Sequence, residues 1–131
     1  MDQASKQAKV FLTFDDGPNE PYTSKILDIL KEHQAKASFF ACGKNIERYP
    51  DSIKRIVAEG HTIGNHAYTH SKLISRLGLL AGEIEKTSKI IEQITGRKTH
   101  YFRPPWGMLT PWLRSYLRKN NYQIIPQKSF Y

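Results

Sequence analysis

The 131 residues carry 20 Lys and Arg against 12 Asp and Glu, a formal charge of +8, with 39% hydrophobic residues. That length makes one domain large enough for a real core, and seven Tyr, six Phe and two Trp exclude a disordered chain. The single cysteine, Cys42, excludes an internal disulfide and a multi-cysteine zinc site, and no apolar run approaches the roughly 20 residues of a membrane span. Met1 to Lys6 lack the apolar stretch of a signal peptide, so none is expected in this chain. The positive charge favours anionic partners, but the basic residues are scattered and no nucleic-acid motif accompanies them.

In chain order, an N-terminal tail over residues 1–8 precedes a domain over 9–131. Val10, Phe11, Leu12 and Phe14 read as a buried strand that delivers Asp15 and Asp16 and stops at Gly17-Pro18. Tyr22 to His33 reads as a helix with Ile26, Ile29 and Leu30 inward, Thr23 or Ser24 able to cap it and His33 at its end. Lys36 to Cys42 is the next strand, where Cys42 reads as a small buried hydrophobe rather than a nucleophile. Pro50-Asp51 opens a second helix with Ile53, Ile56 and Val57 on one face and Gly60 past its end. His61 to Asn65 is a short strand, and Leu73 to Leu80 a loop or broken helical turn. Glu83 to Thr95 follows as a helix with Ile84, Ile90, Ile91 and Ile94 inward, then a strand over His100 to Arg103, a helix over Pro111 to Asn120 and a strand over Tyr122 to Ile125. Five alternations of strand and helix define an α/β protein with a parallel sheet or barrel, whose ligand site gathers at the C-terminal strand ends.

Three polar clusters fall at such ends. Asp15-Asp16 reads either as a solvated turn or as a charge pair held for a purpose, because burying adjacent carboxylates is costly without a compensating cation. His66 and His70 are four apart, so one helical turn would put both imidazoles on the same side. Alone they read equally as surface or as a packed pair; with a carboxylate they make a three-ligand site with room for water, the arrangement of catalytic zinc. No Glu lies between the histidines, so a base must come from elsewhere, and the spare carboxylate of the Asp pair is the candidate. Arg103 before Pro104-Pro105 is either a surface turn or a buried guanidinium that keeps one Asp ionised and oriented.

Thr13-Phe14-Asp15-Asp16-Gly17, His66 with His70, and Arg103-Pro104-Pro105-Trp106-Gly107 together resemble, in order, the first three motifs of the polysaccharide deacetylase family, the NodB-homology carbohydrate esterases. The resemblance runs from about Val10 to Ile125 and includes Gly60 to Asn65. It implies a distorted (β/α) barrel and a metal-dependent hydrolase that removes N-acetyl groups from N-acetylglucosamine-containing glycan, peptidoglycan or chitin-like. It further implies Asp15 as general base, Asp16, His66 and His70 as metal ligands, and Arg103 as the residue orienting the base. Pro104, Pro105 and Trp106 become substrate-binding residues, with the Trp106 N–H as oxyanion donor and its ring flanking the sugar. A donor set of one Asp and two His accepts Zn²⁺, Co²⁺ or Ni²⁺, with Zn²⁺ the expected ion. The parent protein is expected outside the cell or at its surface.

The resemblance also implies a Leu-x-His motif supplying the acid for the leaving amine, and an acidic-Trp motif before it; neither occurs here. The expectation is therefore a partial barrel lacking its last strands. Its sheet edges should be open, with apolar surface exposed near Val10 to Phe14 and Tyr122 to Ile125, which recruits partners such as a second copy. Metal binding should survive while turnover is impaired, since acid catalysis contributes about 10²–10⁴-fold. His33, His61 and His100 do not occupy the missing position. Two other classes compete: a catalytically inactive carbohydrate- or metal-binding module, and, on charge alone, a nucleic-acid binder whose salt-dependent affinity Asp16→Ala would leave unchanged.

Overall fold

The computed structural model of the chain describes residues 8–127; most of the expected tail and the last four residues lie outside the described residues. Five parallel strands form one sheet in sequential order: β1 (Leu12–Asp15), β2 (Ala37–Ala41), β3 (Thr62–Asn65), β4 (Tyr101–Phe102) and β5 (Gln123–Ile124). Between them run α1 (Tyr22–Glu32), α2 (Gly43–Arg48), α3 (Pro50–Ala58), α4 (Lys72–Arg76), α5 (Ala81–Thr95) and α6 (Pro111–Lys119). The register pairs Phe14 with Phe39 and Phe40 with Gly64. A Cβ at Gly64 would lie 2.5 Å from the Phe40 ring, so glycine there lets that ring lie across the neighbouring strand.

The helices bury two adjoining clusters. Leu27, Leu30, Phe39, Ile46, Ile53 and Ile91 form one around β2, and Leu80, Ile84, Phe102, Leu113 and Leu117 the other around β4. Full burial of a Leu, Ile or Phe side chain contributes about 1.5–3 kcal/mol, so these clusters fix which strand ends meet. The sheet curls as a partial barrel. Arg103, just past β4, reaches beneath the sheet's far side, its guanidinium 4.1 Å over the Phe40 ring of β2 and bonded to Thr13 and Asp15 of β1.

Several expectations change. β1 starts at Leu12, and Val10 and Phe11 are 80% and 85% exposed rather than buried, because among the described residues β1 pairs with β2 alone and its second edge is unpaired. The other edge, β5, differs: Tyr122 and Ile124 are half-buried against the second cluster, so the expected exposure is confined to the β1 side. On α1 the inward face is Thr23, Leu27 and Leu30; Ile29 points outward. Pro21, not Thr23 or Ser24, occupies its N-cap, while Thr23 Oγ1 accepts the Asn19 N–H. The short α2 was not legible as a helix in its sequence. Residues 72–76 form the expected broken turn, capped by the Ser71 hydroxyl, and His33 stands at the C-cap of α1.

Candidate metal centre

Asp16 follows β1, His66 follows β3 and Arg103 follows β4, so the parallel sheet delivers all three to the same end. Asp16 Oδ1 lies 3.1 Å from His66 Nε2 and 3.3 Å from His70 Nε2, and one ligand atom from each residue falls within 4.8 Å of the others. The donor chemistry fits a small divalent ion. His66 Nδ1 sits 2.6 Å from the Arg103 carbonyl, an oxygen that can only accept, so the proton belongs on Nδ1 and the Nε2 lone pair faces Asp16. Burial holds the His66 imidazole below its ordinary pKa, favouring the neutral form that a metal requires.

The expected helical turn between the histidines is not what brings them together. Residues 66–70 form an irregular loop with Ala67 at φ 65° and His70 at φ 58°, both left-handed. Asp16 at φ 71° and Trp106 at φ 60° share that conformation, so four of the six non-glycine residues with positive φ among the described residues line this site. Each such residue costs of order 1–3 kcal/mol unless its surroundings enforce it. The enforcing bonds are visible. Asp16 N–H donates to the Phe40 carbonyl and Asn45 Nδ2 to the Asp16 carbonyl, turning the side chain away from the strand. Asn65 Oδ1 accepts the Ala67 N–H, and Glu83 accepts the N–H groups of Tyr68 and Thr69. The Trp106 indole donates to the His70 carbonyl at 3.1 Å, its ring 5.1 Å from the His70 ring.

Asp15 is bound by Arg103 rather than by the imidazoles. Arg103 Nη1 donates to Asp15 Oδ1 at 2.7 Å and to Thr13 Oγ1 at 3.0 Å, and its Nε donates to the Ile125 carbonyl. The pair is well buried, with Arg103 5% and Asp15 18% exposed at the side chain, whereas the Asp16 side chain is 63% exposed. Pro104 and Pro105 are buried, Trp106 is exposed, and its backbone N–H has no acceptor among the described residues. A cavity of about 220 Å³ opens beside Asp15 at the β1 edge, lined by Phe14, Pro18, Tyr22 and Phe40.

The remaining histidines lie elsewhere. His61 precedes β3 and accepts the Ala37 N–H at Nδ1, and burial lowers its pKa; His100 precedes β4. Both therefore sit at the opposite end of their strands from the site. Cys42 is buried, its thiol pushed up to about 12 first by desolvation and then by Asp16 and Asp15, consistent with an inert side chain. Asn45 and Glu83 escaped the sequence reading, which placed Asn65 at the head of the histidine cluster without a role. Only the run Gly64-Asn65-His66 offered a signal, since a buried Asn at a strand end must bond to its neighbours.

The family profile of polysaccharide deacetylases matches residues 2–125, and the chain belongs to that family. A Bacillus cereus peptidoglycan-N-acetylglucosamine deacetylase is 41% identical over 120 residues, covering 91% of this chain and 44% of that protein. Among solved structures, a polysaccharide deacetylase from Bacillus cereus superposes with a TM-score of 0.85 at 36% identity, over 90% of this chain and 59% of that one. A carbohydrate esterase family 4 pseudoenzyme from Bacillus anthracis superposes with a TM-score of 0.77 at 30% identity, over 88% of this chain and 42% of that one. The chain thus spans about half the length of the relatives it matches.

Proposed function

We propose that this domain is the site-bearing part of a metal-dependent N-deacetylase acting on N-acetylglucosamine-containing polysaccharide of the cell wall, peptidoglycan or chitin-like, outside the cell or at its surface. The observation that carries this reading is the division of labour between adjacent carboxylates: Asp16 joins the two imidazoles while Asp15 stays apart on Arg103. Asp16, His66 and His70 would hold the ion, Zn²⁺ by preference with Co²⁺ or Ni²⁺ accepted. When bound, a divalent ion polarises the acetamido carbonyl and lowers the pKa of water toward about 7.

The rest falls to the chain's own groups. Asp15, aimed by Arg103, takes a proton from the water that adds to the carbonyl carbon. The Trp106 N–H donates to the developing oxyanion, a contribution worth about 10²–10³ in rate when such a donor is removed. Pro105 and Trp106 shape the floor on which the sugar rests. Breaking the C–N bond releases acetate and requires a proton on the amine, and Asp15 carries the one it has just taken.

Acetate release from chitotetraose and from peptidoglycan by the zinc-loaded chain tests this. The expected result is release that chelation stops and that Asp15→Asn lowers by about 10²–10⁴-fold. Zinc binding with no release from either glycan would instead favour a silent carbohydrate-binding module. That second reading is supported by the absence of a third histidine at the site among the described residues and by the likeness to a pseudoenzyme. The free β1 edge with Val10 and Phe11 exposed supports self-association, which light scattering across a concentration series reads directly.

A further inference from the structure

Resting on the metal reading above, we infer that Glu83, in the first turn of α5, is the positioning residue that sets His70, and with it the affinity and geometry of the metal centre. His66 needs no such help: its backbone N–H donates to the Ala41 carbonyl in the sheet, and its ring is fixed by the Arg103 carbonyl. His70 lies four residues further along an irregular loop whose carbonyls are held, Ala67 and Tyr68 by the Gly43 and Lys44 N–H groups of α2 and His70 by the Trp106 indole, while its amides need acceptors of their own.

Those amides are clamped from α5. Glu83 Oε1 accepts the Tyr68 N–H at 3.1 Å, the Thr69 N–H at 2.7 Å and the Thr69 hydroxyl at 2.9 Å, and Oε2 lies 3.1 Å from that hydroxyl. With Asn65 Oδ1 on the Ala67 N–H, three consecutive loop amides are turned onto two side chains. Asn65 is itself fully buried and donates to the Ile84 carbonyl and Ser88 hydroxyl of α5, so both acceptors answer to one helix. The left-handed Ala67 and His70 flank the clamped pair, a conformation uncommon for residues other than glycine and unfavourable for Ala67 in particular. A carboxylate suits the task because it accepts at several lone-pair sites and offers no donor that would repel the amides.

Truncating Glu83 leaves Tyr68 and Thr69 N–H to water and lets the loop relax out of its strained form, carrying His70 away from Asp16. Groups that orient ligands from behind typically cost 10–100-fold in metal affinity when removed. The test is zinc affinity by competition with a chelator, together with the visible absorption of the Co²⁺-loaded protein, for wild type, Glu83→Ala and Glu83→Gln. The expected result is a loss of about 10–100-fold and a weaker cobalt spectrum for Glu83→Ala, with Glu83→Gln restored toward wild type because its amide oxygen still accepts. Unchanged zinc affinity and cobalt spectrum in a folded Glu83→Ala would overturn the inference while leaving the metal centre standing; failure of the wild type to bind zinc would overturn both. Should Glu83→Ala not fold, amide exchange in the zinc-free wild type decides. Protected Tyr68 and Thr69 amides support the clamp, and exchange at the rate of free amides overturns it.

Discussion

Asp15 and Asp16 are neighbours in the chain and opposites in the molecule. One completes β1 with a regular backbone and meets a buried guanidinium. The other has φ 71°, points out of the sheet's end and meets one buried and one partly exposed imidazole. A single left-handed residue therefore separates a dry, oriented carboxylate from a solvated ligand, giving two identical side chains two environments. The lesson is that pair chemistry here is built by the backbone, through Phe40 and Asn45 bonding either face of the Asp16 peptide, before any side chain acts.

Removing Arg103 should break the comparison most severely. Taking one partner from a buried ion pair typically costs about 3–5 kcal/mol, because the remaining charge is left uncompensated. Arg103→Met should accordingly lower the urea midpoint far more than Asp16→Asn, which loses an exposed group. If the two variants unfold together, the buried and exposed halves are not distinct. A smaller effect is chemical. Cys42, with its thiol pushed up to about 12, should resist an aromatic disulfide reagent in the folded protein and react once urea unfolds it. Rapid labelling under native conditions would show that the strand end beneath the carboxylates is open.

The smallest expected effect concerns pH and lies away from the site. His61 is held neutral by burial, below its ordinary 6.5, and accepts the Ala37 N–H. As pH falls below about 6.5 the unfolded chain takes up a proton that the folded one refuses, so stability is full above that pH and declines on acidification until the folded-state pKa is passed. The decline in urea midpoint between pH 7.5 and 5.5 should be shallower in His61→Gln. An equal slope would remove His61 from the acid response.

Much of this fold was readable in the order of residues. Short runs between breaks marked β2, before Gly43, and β3, after Gly60, and the helical spacing of Ile53 with Ile56 and of Ile84 with Ile91 marked the faces that α3 and α5 bury. The α1 face was misread because Leu27 completes a stripe with Thr23 and Leu30, and a buried threonine carries no hydrophobic signal. β1 was read as buried because its composition is that of a core strand, whereas its exposure depends on what pairs with its second edge. The three polar clusters were legible, but the form of the His66–His70 loop was not. Its shape depends on Asn65 and Glu83, whose bonds run between elements distant in sequence and leave no periodicity behind.

The comparison between the two carboxylates yields the most direct test of the whole account. Zinc stoichiometry should be measured by mass spectrometry after gel filtration for wild type, Asp15→Ala and Asp16→Ala. One ion per chain in the first two, and none retained by Asp16→Ala, is the predicted result. Equal retention by both variants, or loss from Asp15→Ala alone, would contradict the assignment of ligand and base.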